Sequence, residues 1–406
     1  MKVLILFRIF KETRYSIVPL IASLENEDLS HHINIHIVTN SPLKFLKGYS
    51  GQDIIIAYSF MSHQWENVKE EWRIIKEKFG RDITIIAGGP HATGKPKELI
   101  KWGADVVCCF EGEVVFPKII KKHLRKNLKK PSIVYEKPKV WEESFPFPQI
   151  TPMISPIEIS RGCPFGCKYC QTPVLKGRKM RHKTIEVITE AVKFMVKHGL
   201  KDIRFITPNG LAFGSIDGLK INIEAIQQLL YNIKRNIPKE GRIFFGSFPS
   251  EVRPEFISKE SVRIIKKYCH NKKVVFGAQS GSENMLVNMN RGHSIEDVLN
   301  ACDVLLEYSM EPVVDFMIGL PDENEEDVLK TINLMEKLTN MGAKVHLHYF
   351  MPLPGTPWGK RESSPIPAWA LKKINRLISS GKLFGQWMHQ MEIAKRHNQQ
   401  KNNENL

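Results

Sequence analysis

The chain has 406 residues, which predicts two or three domains, and 42% of them are hydrophobic and 25% charged. This composition is typical of globular proteins and excludes collagen-like, low-complexity and largely disordered chains. Seven cysteines are too few for a disulfide scaffold, and no apolar run approaches the 18 residues of a membrane span. The apolar N-terminus, Met1–Phe10, is interrupted by Arg8 and lacks a small-residue cleavage site, so we predict a strand there. Together these features predict a cytoplasmic protein with no membrane partner.

The formal net charge of +16 is spread along the chain, with +6 over residues 1–150, +5 over 151–360 and +5 over 361–406. The densest basic stretch, Lys118–Lys130, carries Ile119, Ile120, His123 and Leu124 at helical spacing. This pattern predicts a solvated helix with an inner apolar stripe. A nucleic-acid partner is left open but not indicated, since the chain has no zinc-finger or RNA-recognition signature.

Short apolar runs rich in Ile or Val alternate with amphipathic stretches through residues 1–130. The predicted strands are Val3–Arg8, Ile33–Val38, Asp53–Ser59, Ile83–Ala87 and Val106–Phe110. Strands buried on both faces and separated by helices predict a parallel, doubly wound, Rossmann-like sheet. Such sheets bind ligands beyond the carboxyl ends of their strands, here at Tyr58–His63, Gly88–Thr93 and Phe110–Glu113.

A linker is predicted at residues 131–156, because six prolines there disfavour both helix and central strand. They are Pro131, Pro138, Pro146, Pro148, Pro152 and Pro156. At the other end of the chain, residues 361–406 predict one or two helices followed by a polar tail from Asn398.

A second alternation fills residues 157–360. Its predicted strands are Ile157–Ser160, Ile203–Thr207, Ile243–Ser247, Val274–Ala278, Val313–Ile318 and Val345–Tyr349, with helices over 184–198, 219–236, 258–268, 294–308 and 324–340. Six strand–helix units predict a partial (β/α)6 barrel, because a complete eight-unit barrel needs about 250 residues.

Three cysteines in the pattern CxxxCxxC, Cys163, Cys167 and Cys170, directly follow the first strand of this second alternation. Three thiolates on a tight loop need a distant fourth ligand to complete a zinc site, but they can hold a 4Fe-4S cluster with one iron open. A structural zinc knuckle completed by His182 is the alternative. The position at the carboxyl end of a barrel strand, where barrels carry their chemistry, favours the cluster.

The loop resembles the defining CxxxCx(aromatic)C motif of the radical S-adenosylmethionine enzymes, with Tyr169 as the aromatic residue. The segments 277–293 (GAQSGS…NRGH), 315–327 (DFMIGLPDENEED) and 351–357 (MPLPGTP) are similar to further motifs of one branch of that superfamily. The resemblance implies that the open iron chelates S-adenosylmethionine, whose reductive cleavage gives a 5′-deoxyadenosyl radical that abstracts hydrogen from a substrate. It also implies a one-electron reductant of the flavodoxin or ferredoxin type as partner.

The resemblance places S-adenosylmethionine contacts at the carboxyl ends of the barrel strands. The candidates are Tyr169, Thr207, Pro208, Ser247, Arg253, Gln279 and Ser280, with loop capping as the alternative for each. The chain departs from the family at the second strand, where Thr207-Pro208-Asn209-Gly210 stands in place of a Gly-Gly-Glu segment. No catalytic residue is assigned.

The first alternation resembles the cobalamin-binding domain that many enzymes of this branch carry. The matching segments are Gly88–Thr93 and Glu111–Glu113, and the implied cobalamin-binding residues are Ser59, Gly88, Gly89, Pro90, His91, Glu111 and Gly112. The Asp-x-His-x-x-Gly motif of His-ligated cobalamin proteins is missing from residues 1–150, so neither His63 nor His91 is assigned to cobalt. A vestigial domain without cobalamin is the alternative.

The combined resemblance implies a cobalamin-dependent radical enzyme that transfers a methyl group to an unactivated carbon or catalyses a radical rearrangement. The first alternative is a methylthiotransferase-like RNA-modifying enzyme. Those enzymes hold a second cluster through three N-terminal cysteines, whereas this chain has only Cys108 and Cys109 before Cys163. The second alternative is a non-catalytic corrinoid or iron–sulfur sensor, in which the open-iron loop and the barrel-end motifs would have no use. The substrate is not encoded in any recognisable motif.

Overall fold

The computed structural model describes residues 2–46, 52–135 and 141–404, with side chains up to residue 396. The chain divides into two compact units, one of residues 1–155 with 353–355 and the other of residues 156–352 with 356–406. Pro138 and the side chains of the predicted polar tail from Asn398 lie outside the described part.

The first unit contains a six-stranded parallel sheet in the order β2-β1-β3-β4-β5-β6. Its strands are β1 (Val3–Arg8), β2 (Ile33–Val38), β3 (Ile54–Ser59), β4 (Ile83–Gly88), β5 (Val106–Cys108) and β6 (Ser132–Val134), and its helices are α1 (Ile17–Asn26), α2 (Leu43–Leu46), α3 (Trp65–Phe79), α4 (Pro90–Gly94), α5 (Pro96–Lys101) and α6 (Gly112–Leu124). The order reverses beside β1, as in doubly wound sheets, so the predicted Rossmann-like fold is confirmed.

Both faces of this sheet are buried, and the side chains of each strand alternate between them. In β1, Leu4 and Leu6 join the core beneath α3, whereas Ile5 and Phe7 join the core beneath α1 and α6. The α3 face is dominated by the fully buried Trp72. Its ring packs edge-on against Tyr58, Phe60 and Trp65, with ring centroids 5.6–6.2 Å apart.

Two local predictions in this unit need correction. The range 131–156, predicted as a linker, contains β6, which pairs with β5 at the edge of the sheet. Pro131 precedes this strand, a position where its missing N–H removes no ladder hydrogen bond. The basic helix starts earlier than predicted, at Gly112, and ends at Leu124, because Lys126 adopts a positive φ of 57°.

The second unit contains two parallel sheets, β7-β10-β11 and β12-β13-β14-β15, and an antiparallel pair, β8-β9. The strands are β7 (Ile157–Glu158), β8 (Ser160–Arg161), β9 (Arg181–His182), β10 (Asp202–Ile206), β11 (Arg242–Phe244), β12 (Lys273–Gln279), β13 (Glu311–Ile318), β14 (Lys344–Tyr349) and β15 (Leu383–Phe384). A bridge between Val252 and Phe276 connects the segment after β11 to β12. The predicted partial (β/α)6 barrel is therefore confirmed, with strands in chain order around it.

Six of the described helices of this unit begin where a side chain caps the first turn. The helices are α7 (Thr172–Lys176), α8 (Ile185–Lys197), α9 (Ile223–Asn236), α10 (Lys259–Tyr268), α11 (Glu283–Asn288), α12 (Ile295–Glu307), α13 (Glu325–Met341), α14 (Ala368–Ser379) and α15 (Trp387–Glu404). The residues Thr184, Asn222, Ser258, Ser282, Ser294 and Asn324 accept a hydrogen bond from a backbone N–H of the helix that follows each of them. The caps fix where each helix leaves its strand, and thereby which residues remain in the loops at the carboxyl end of the barrel.

The C-terminal extension contains a short strand as well as helices. β15, which the sequence did not predict, pairs in parallel with β14 through Val345 and Leu383. A two-residue strand carries too little periodicity to be recognised. Among the described residues, no helix is long and apolar enough to cross a membrane.

Glu323, in the loop after β13, is a buried carboxyl group that accepts hydrogen bonds from the backbone N–H groups of Gly319 (2.7 Å) and Leu320 (3.1 Å). Burial raises its pKa from the ordinary 4.5 to about 8, although the two backbone hydrogen bonds oppose the shift. The folded protein therefore favours the protonated acid.

Trp72→Ala should destabilise the first unit by about 3–5 kcal/mol, because it opens a large cavity among three aromatic rings. Urea unfolding followed by circular dichroism measures the change. The matched control is Trp102→Ala. Trp102 is 43% exposed and stacks only beneath Lys69 in a cation–π contact, so its removal should cost less than about 1 kcal/mol. Equal losses for the two variants would contradict the assignment of Trp72 to the core.

Glu323→Gln should become progressively more stable than the wild type as the pH rises from about 4.5 to about 8. A group whose folded pKa is raised stabilises the protein below its unfolded pKa, and this contribution is lost as the pH rises through the folded pKa. The glutamine keeps the acceptor oxygen without the ionisation. Melting temperatures across this range test the prediction, and a pH-independent difference would refute it.

Candidate functional site

The cysteine loop is enclosed by the β8-β9 pair, in which Arg161 is opposite Arg181. The Cys163 N–H donates to the carbonyl oxygen of Gly177 (3.1 Å), and the Cys170 N–H donates to that of Cys167 (3.0 Å). Gly162 has a φ of 84°, and a Cβ atom there would lie 2.0 Å from the carbonyl oxygen of Lys179. Only glycine permits the loop to turn at this point.

The three cysteine sulfurs are spaced more widely than the ligands of a single ion. Cys167 is buried, and Cys163 and Cys170 are half-buried. Among the described residues, the three sulfurs do not all lie within 4.8 Å of one another. Thiolates around one zinc ion lie closer together than that, since each Zn–S bond is about 2.3 Å.

His182 does not complete a zinc site. Its Nδ1 is 2.8 Å from the hydroxyl of Ser160, and its Nε2 is 2.9 Å from the carbonyl oxygen of Ser215. Both ring nitrogens are therefore engaged, and the zinc-knuckle alternative is wrong for this residue.

The segment Met289–His293 holds the cysteine loop against the barrel. The Lys168 N–H donates to the carbonyl oxygen of Met289 (3.0 Å), and the Asn290 side chain donates to that of Phe165 (2.6 Å). The buried guanidinium of Arg291 donates to the Cys167 sulfur (3.8 Å) and to the carbonyl oxygen of Gly277 at the end of β12 (2.8 Å). A positive charge is thus fixed beside one of the three sulfurs.

The thiols themselves are poor acids in this environment. Burial raises the pKa of both Cys163 and Cys170, with the hydrogen bonds that Cys170 receives from Thr172 opposing the shift. Bonding to positively charged iron ions is the interaction that would deprotonate them. The donor set of three sulfurs beside Arg291 therefore fits an anionic iron–sulfur cluster.

Tyr169 points into an apolar cluster that includes Met285, Leu286 and Phe350. Burial raises the pKa of its phenol well above the ordinary value, so the group stays neutral. In this position it anchors the loop, and its contact with S-adenosylmethionine stays a prediction.

Two of the predicted S-adenosylmethionine contacts are accompanied by polar atoms that the described residues leave unsatisfied. The Ser247 hydroxyl and both side-chain polar atoms of Asn209 are buried without a hydrogen-bond partner among those residues. Buried polar atoms of this kind are costly unless a ligand or water satisfies them. Thr207, next to Pro208, donates to the carbonyl oxygen of Asn209 (3.1 Å). These loops therefore fit a polar cofactor, and sequence reasoning missed Asn209 because the family motif is altered there.

The Arg253 side chain contacts the surrounding loops on several sides. Its guanidinium lies 3.4 Å from the centroid of the Phe165 ring and donates to Glu255 (2.5 Å) and to the carbonyl oxygen of Arg291. A second cation therefore lies beside the cysteine loop, bracing both Phe165 and Arg291.

Gln279 and Ser280, which follow one another at the end of β12, differ in their surroundings. Gln279 adopts a φ of 71°, which is uncommon for a residue other than glycine, and its amide folds back over Gly277. The Ser280 hydroxyl is 3.2 Å from that of Thr331 and accepts from the Ser282 N–H (3.2 Å). Ser280 thus takes the capping role that was its alternative, and its cofactor contact remains only a prediction.

In the first unit, Ser59, Gly88 and Gly89 lie at the neighbouring carboxyl ends of β3 and β4. Gly89 has a φ of 92°, and a Cβ atom there would lie 2.9 Å from the Phe60 nitrogen. The glycine allows the chain to turn closely over the end of β3 into α4, which starts at Pro90. Glu111 and Gly112 follow β5 and begin α6.

The His91 ring is turned into the protein. It is 1% exposed, its Nδ1 is 3.0 Å from the Ser62 hydroxyl, and it stacks on Trp65 with centroids 5.3 Å apart. The side chain supports the loop from within, in line with its not being assigned to cobalt. Phe110, which begins the predicted strand end Phe110–Glu113, has a φ of 65° and is 41% exposed, so it offers an apolar surface there.

Cys108 and Cys109 belong to the two opposite cores of the first sheet, as the strand periodicity predicted. Burial raises the pKa of both thiols, that of Cys109 to about 11. Neither the pair nor its surroundings provide the three thiolates of a second cluster.

The interior of the barrel carries polar groups that sequence reasoning missed. Burial raises the pKa of Glu251 to about 7, and the nearby Asp315 adds to the shift. Asp315 is itself 2.9 Å from Nδ1 of His346. The alternation of His346 and His348 with apolar residues along β14 was the signal that could have revealed them.

Residues 157–335 match the sequence profile of the Radical SAM superfamily. The threonylcarbamoyladenosine tRNA methylthiotransferase MtaB of Thermotoga maritima is 28% identical over 211 residues, which cover 51% of this chain and 45% of that protein. The tRNA-2-methylthio-N(6)-dimethylallyladenosine synthase of Aquifex aeolicus is 26% identical over 317 residues, 76% of this chain and 69% of that protein. The chain thus spans less than half the length of the first of these relatives.

A solved structure is similar over both units. It is that of TsrM from Kitasatospora setae, a radical S-adenosylmethionine methyltransferase with cobalamin and a 4Fe-4S cluster bound. The similarity has a TM-score of 0.66 at 14% identity and covers 88% of this chain and 74% of that one. At this identity the likeness shows the fold, a Rossmann-like domain followed by the partial barrel.

Gly162→Ala should lower the iron bound after anaerobic reconstitution several-fold, because the new methyl group collides with the Lys179 carbonyl and displaces the cysteine loop. The matched control is Gly177→Ala. Gly177 also has a positive φ, 79°, but a Cβ atom there meets nothing within 4 Å. The control should lose only about 1–2 kcal/mol of stability to backbone strain and keep its iron. Equal iron loss in both variants would contradict a specific role for the turn at Gly162.

Proposed function

Since residues 157–335 match the Radical SAM superfamily, we propose that the chain is a cobalamin-dependent radical S-adenosylmethionine enzyme that transfers a methyl group to an unactivated carbon. The observation that carries the proposal is the cysteine loop at the carboxyl end of the barrel, held beside Arg291 and preceded along the chain by a Rossmann-like unit. A radical rearrangement on the same cofactors is the related possibility within this class.

When bound, the 4Fe-4S cluster supplies the electron that cleaves S-adenosylmethionine and cobalamin carries the methyl group. Cys163, Cys167 and Cys170 would hold the cluster, leaving one iron for the cofactor. Arg291 would offset part of the cluster's negative charge through its hydrogen bond to Cys167. Because this guanidinium is buried, its effect is only weakly screened by solvent.

The polar atoms around the loop are suited to orienting S-adenosylmethionine. Ser247 and Asn209 offer buried hydrogen-bonding atoms that the described residues leave unsatisfied. Thr207, Pro208, Arg253 and Gln279 surround them at the strand ends, and Tyr169 and Ser280 support the loops. Burial lowers the pKa of His293 to about 2, with the charges of Arg291 and Arg253 adding to the shift. The neutral ring donates its Nε2 proton to the carbonyl oxygen of Ala278 (3.2 Å). It therefore supports β12 without adding a third positive charge beside Arg291 and Arg253.

The cobalamin part of the proposal rests on the strand ends of the first unit and on the fold shared with TsrM, which is described with cobalamin bound. Ser59, Gly88, Gly89, Pro90, Glu111 and Gly112 are the residues proposed to line the site, with the His91 ring as internal support. The glycine turn at Gly89 lets backbone approach a flat, bulky ligand. The exposed ring of Phe110 lies at the same edge and offers it an apolar contact.

A methylthiotransferase-like activity on RNA is the second candidate, because the sequence relatives named above modify tRNA. Within this chain, Cys108 and Cys109 point into opposite cores and cannot hold the second cluster that such enzymes carry. We therefore place this candidate behind the methyl transfer. A flavodoxin- or ferredoxin-type reductant and a reducing cytoplasmic setting complete the proposal, since the cluster requires free thiols and an electron donor.

Anaerobic reconstitution with iron, sulfide and hydroxocobalamin tests the proposal. The wild type should bind about four irons and one cobalamin per chain and release 5′-deoxyadenosine from S-adenosylmethionine under dithionite. Cys163→Ala should abolish 5′-deoxyadenosine formation, whereas Cys269→Ala, at the end of α10 and outside the loop, should retain it.

The outcomes separate the candidates. Turnover by Cys163→Ala at the wild-type rate would refute the radical mechanism. About eight irons without cobalamin would favour the methylthiotransferase candidate. Stoichiometric iron and cobalamin without 5′-deoxyadenosine would favour a non-catalytic sensor.

A further inference from the structure

Three side chains of types that bind metal ions, none of them in the cysteine loop, lie together on two neighbouring strands of the barrel. Asp315 is on β13, and His346 and His348 are on the neighbouring strand β14. Asp315 is the register partner of His346, and His348 is two residues further along the same strand. Because side chains alternate along a strand, all three lie on the same face of the sheet.

The opposite face of β14 is buried by apolar residues. Val345, Leu347 and Tyr349 are buried, whereas His346 and His348 are half-buried. His346 therefore faces a cavity on this side of the sheet. This cavity has a volume of about 1060 Å³, and His346, Glu251 and Ser247 are among the residues that line it.

The ligand atoms of the three side chains are close enough together to bind one metal ion. Nδ1 of His346 is 2.9 Å and Nε2 of His348 is 4.0 Å from Oδ1 of Asp315. One ligand atom from each residue lies within 4.8 Å of the other two. Among the described residues this is the only group of three or more His, Cys, Asp or Glu side chains with that property.

From this arrangement we propose that Asp315, His346 and His348 bind a divalent first-row transition metal ion such as Zn²⁺. Two imidazole nitrogens and one carboxylate form a donor set that binds such ions better than it binds Mg²⁺ or Ca²⁺, which prefer oxygen ligands. Three protein ligands leave at least one coordination position open toward the cavity, where water or a polar group of a substrate can bind. The site is separate from the cluster and does not rest on the proposed function.

Residues behind the histidines position the rings. Phe384 on β15 stacks on His346 with ring centroids 4.8 Å apart and planes 11° from parallel. Gln390 on α15 accepts from the Tyr349 N–H through Oε1 (2.8 Å), and its Nε2 lies 3.4 Å from Nδ1 of His348. Ligation through Nε2 of His348 would put the ring proton on Nδ1, where it would meet the NH2 group of Gln390, which is itself a donor. A carboxylate at position 390 would accept that proton and strengthen the ligand.

Equilibrium dialysis of the reconstituted holoprotein against Zn²⁺, with metals counted by mass spectrometry, tests the proposal. The wild type should retain one zinc per chain in addition to its iron. His346→Ala and His348→Ala should each lose it while keeping the iron, and the exposed His198→Ala, at the end of α8, should retain both. Zinc that is missing from the wild type, or equal in the wild type and in His346→Ala, would overturn the proposal.

Two further variants guard against misfolding and against adventitious binding. Asp315→Asn keeps the size of the side chain and should also lose the zinc. Gln390→Glu should bind it about 10-fold more tightly. Co²⁺ bound to the full chain with Cys163, Cys167 and Cys170 all replaced by Ala should show a visible spectrum of nitrogen and oxygen ligation. A cobalt spectrum that is unchanged by His348→Ala would overturn the assignment of this ligand.

Discussion

The arrangement of the second unit depends on the buried guanidinium of Arg291. It donates to the Cys167 sulfur and to the Gly277 carbonyl, and so connects the cysteine loop to the end of β12. A buried charge is tolerated only when its donors are satisfied and an opposite charge is near. An anionic cluster on the three sulfurs would meet that condition, so the interaction that fixes the loop also suits the cofactor proposed for it. Arg253 is a second buried cation that connects these loops, since it contacts both the Phe165 ring and the Arg291 carbonyl oxygen.

The cofactor loops are placed by ordinary folding rules rather than by special features. Parallel strands bring their carboxyl ends to one edge, and capped helices leave each edge at a defined residue. The first unit follows the same logic, with two apolar cores on the faces of one sheet and the glycine turn at Gly89 over the end of β3. Each unit thus presents loops at the position where its fold binds ligands. The function then depends on the few side chains that those loops carry.

Most of the fold and the position of the cysteine loop were predictable from the sequence, because each rests on a strong local signal. Apolar runs located β1 and β2 to the residue, and the spacing of three cysteines identified the loop. β6 and β15 were missed, since strands of two or three residues at a sheet edge depend on tertiary pairing rather than on their own pattern. The zinc alternative through His182 failed for a similar reason, because the hydrogen bonds of a histidine are set by residues distant in sequence.

The residues around the cofactors were less predictable. Arg291 and Asn209 gain their significance from what lies opposite them, which a single sequence does not contain. The Ser280 hydroxyl lies 3.2 Å from the Thr331 hydroxyl and accepts from the Ser282 N–H, partners that its place in a family-like segment did not indicate. Asp315, His346 and His348 converge only because β13 and β14 are paired in register.

Electron paramagnetic resonance of the reduced, reconstituted protein tests the central claim most directly. A 4Fe-4S cluster held by Cys163, Cys167 and Cys170 has an open iron, so adding S-adenosylmethionine should change the spectrum of the reduced cluster. The account predicts this change in the wild type. A reduced cluster whose spectrum is the same with and without S-adenosylmethionine would contradict it.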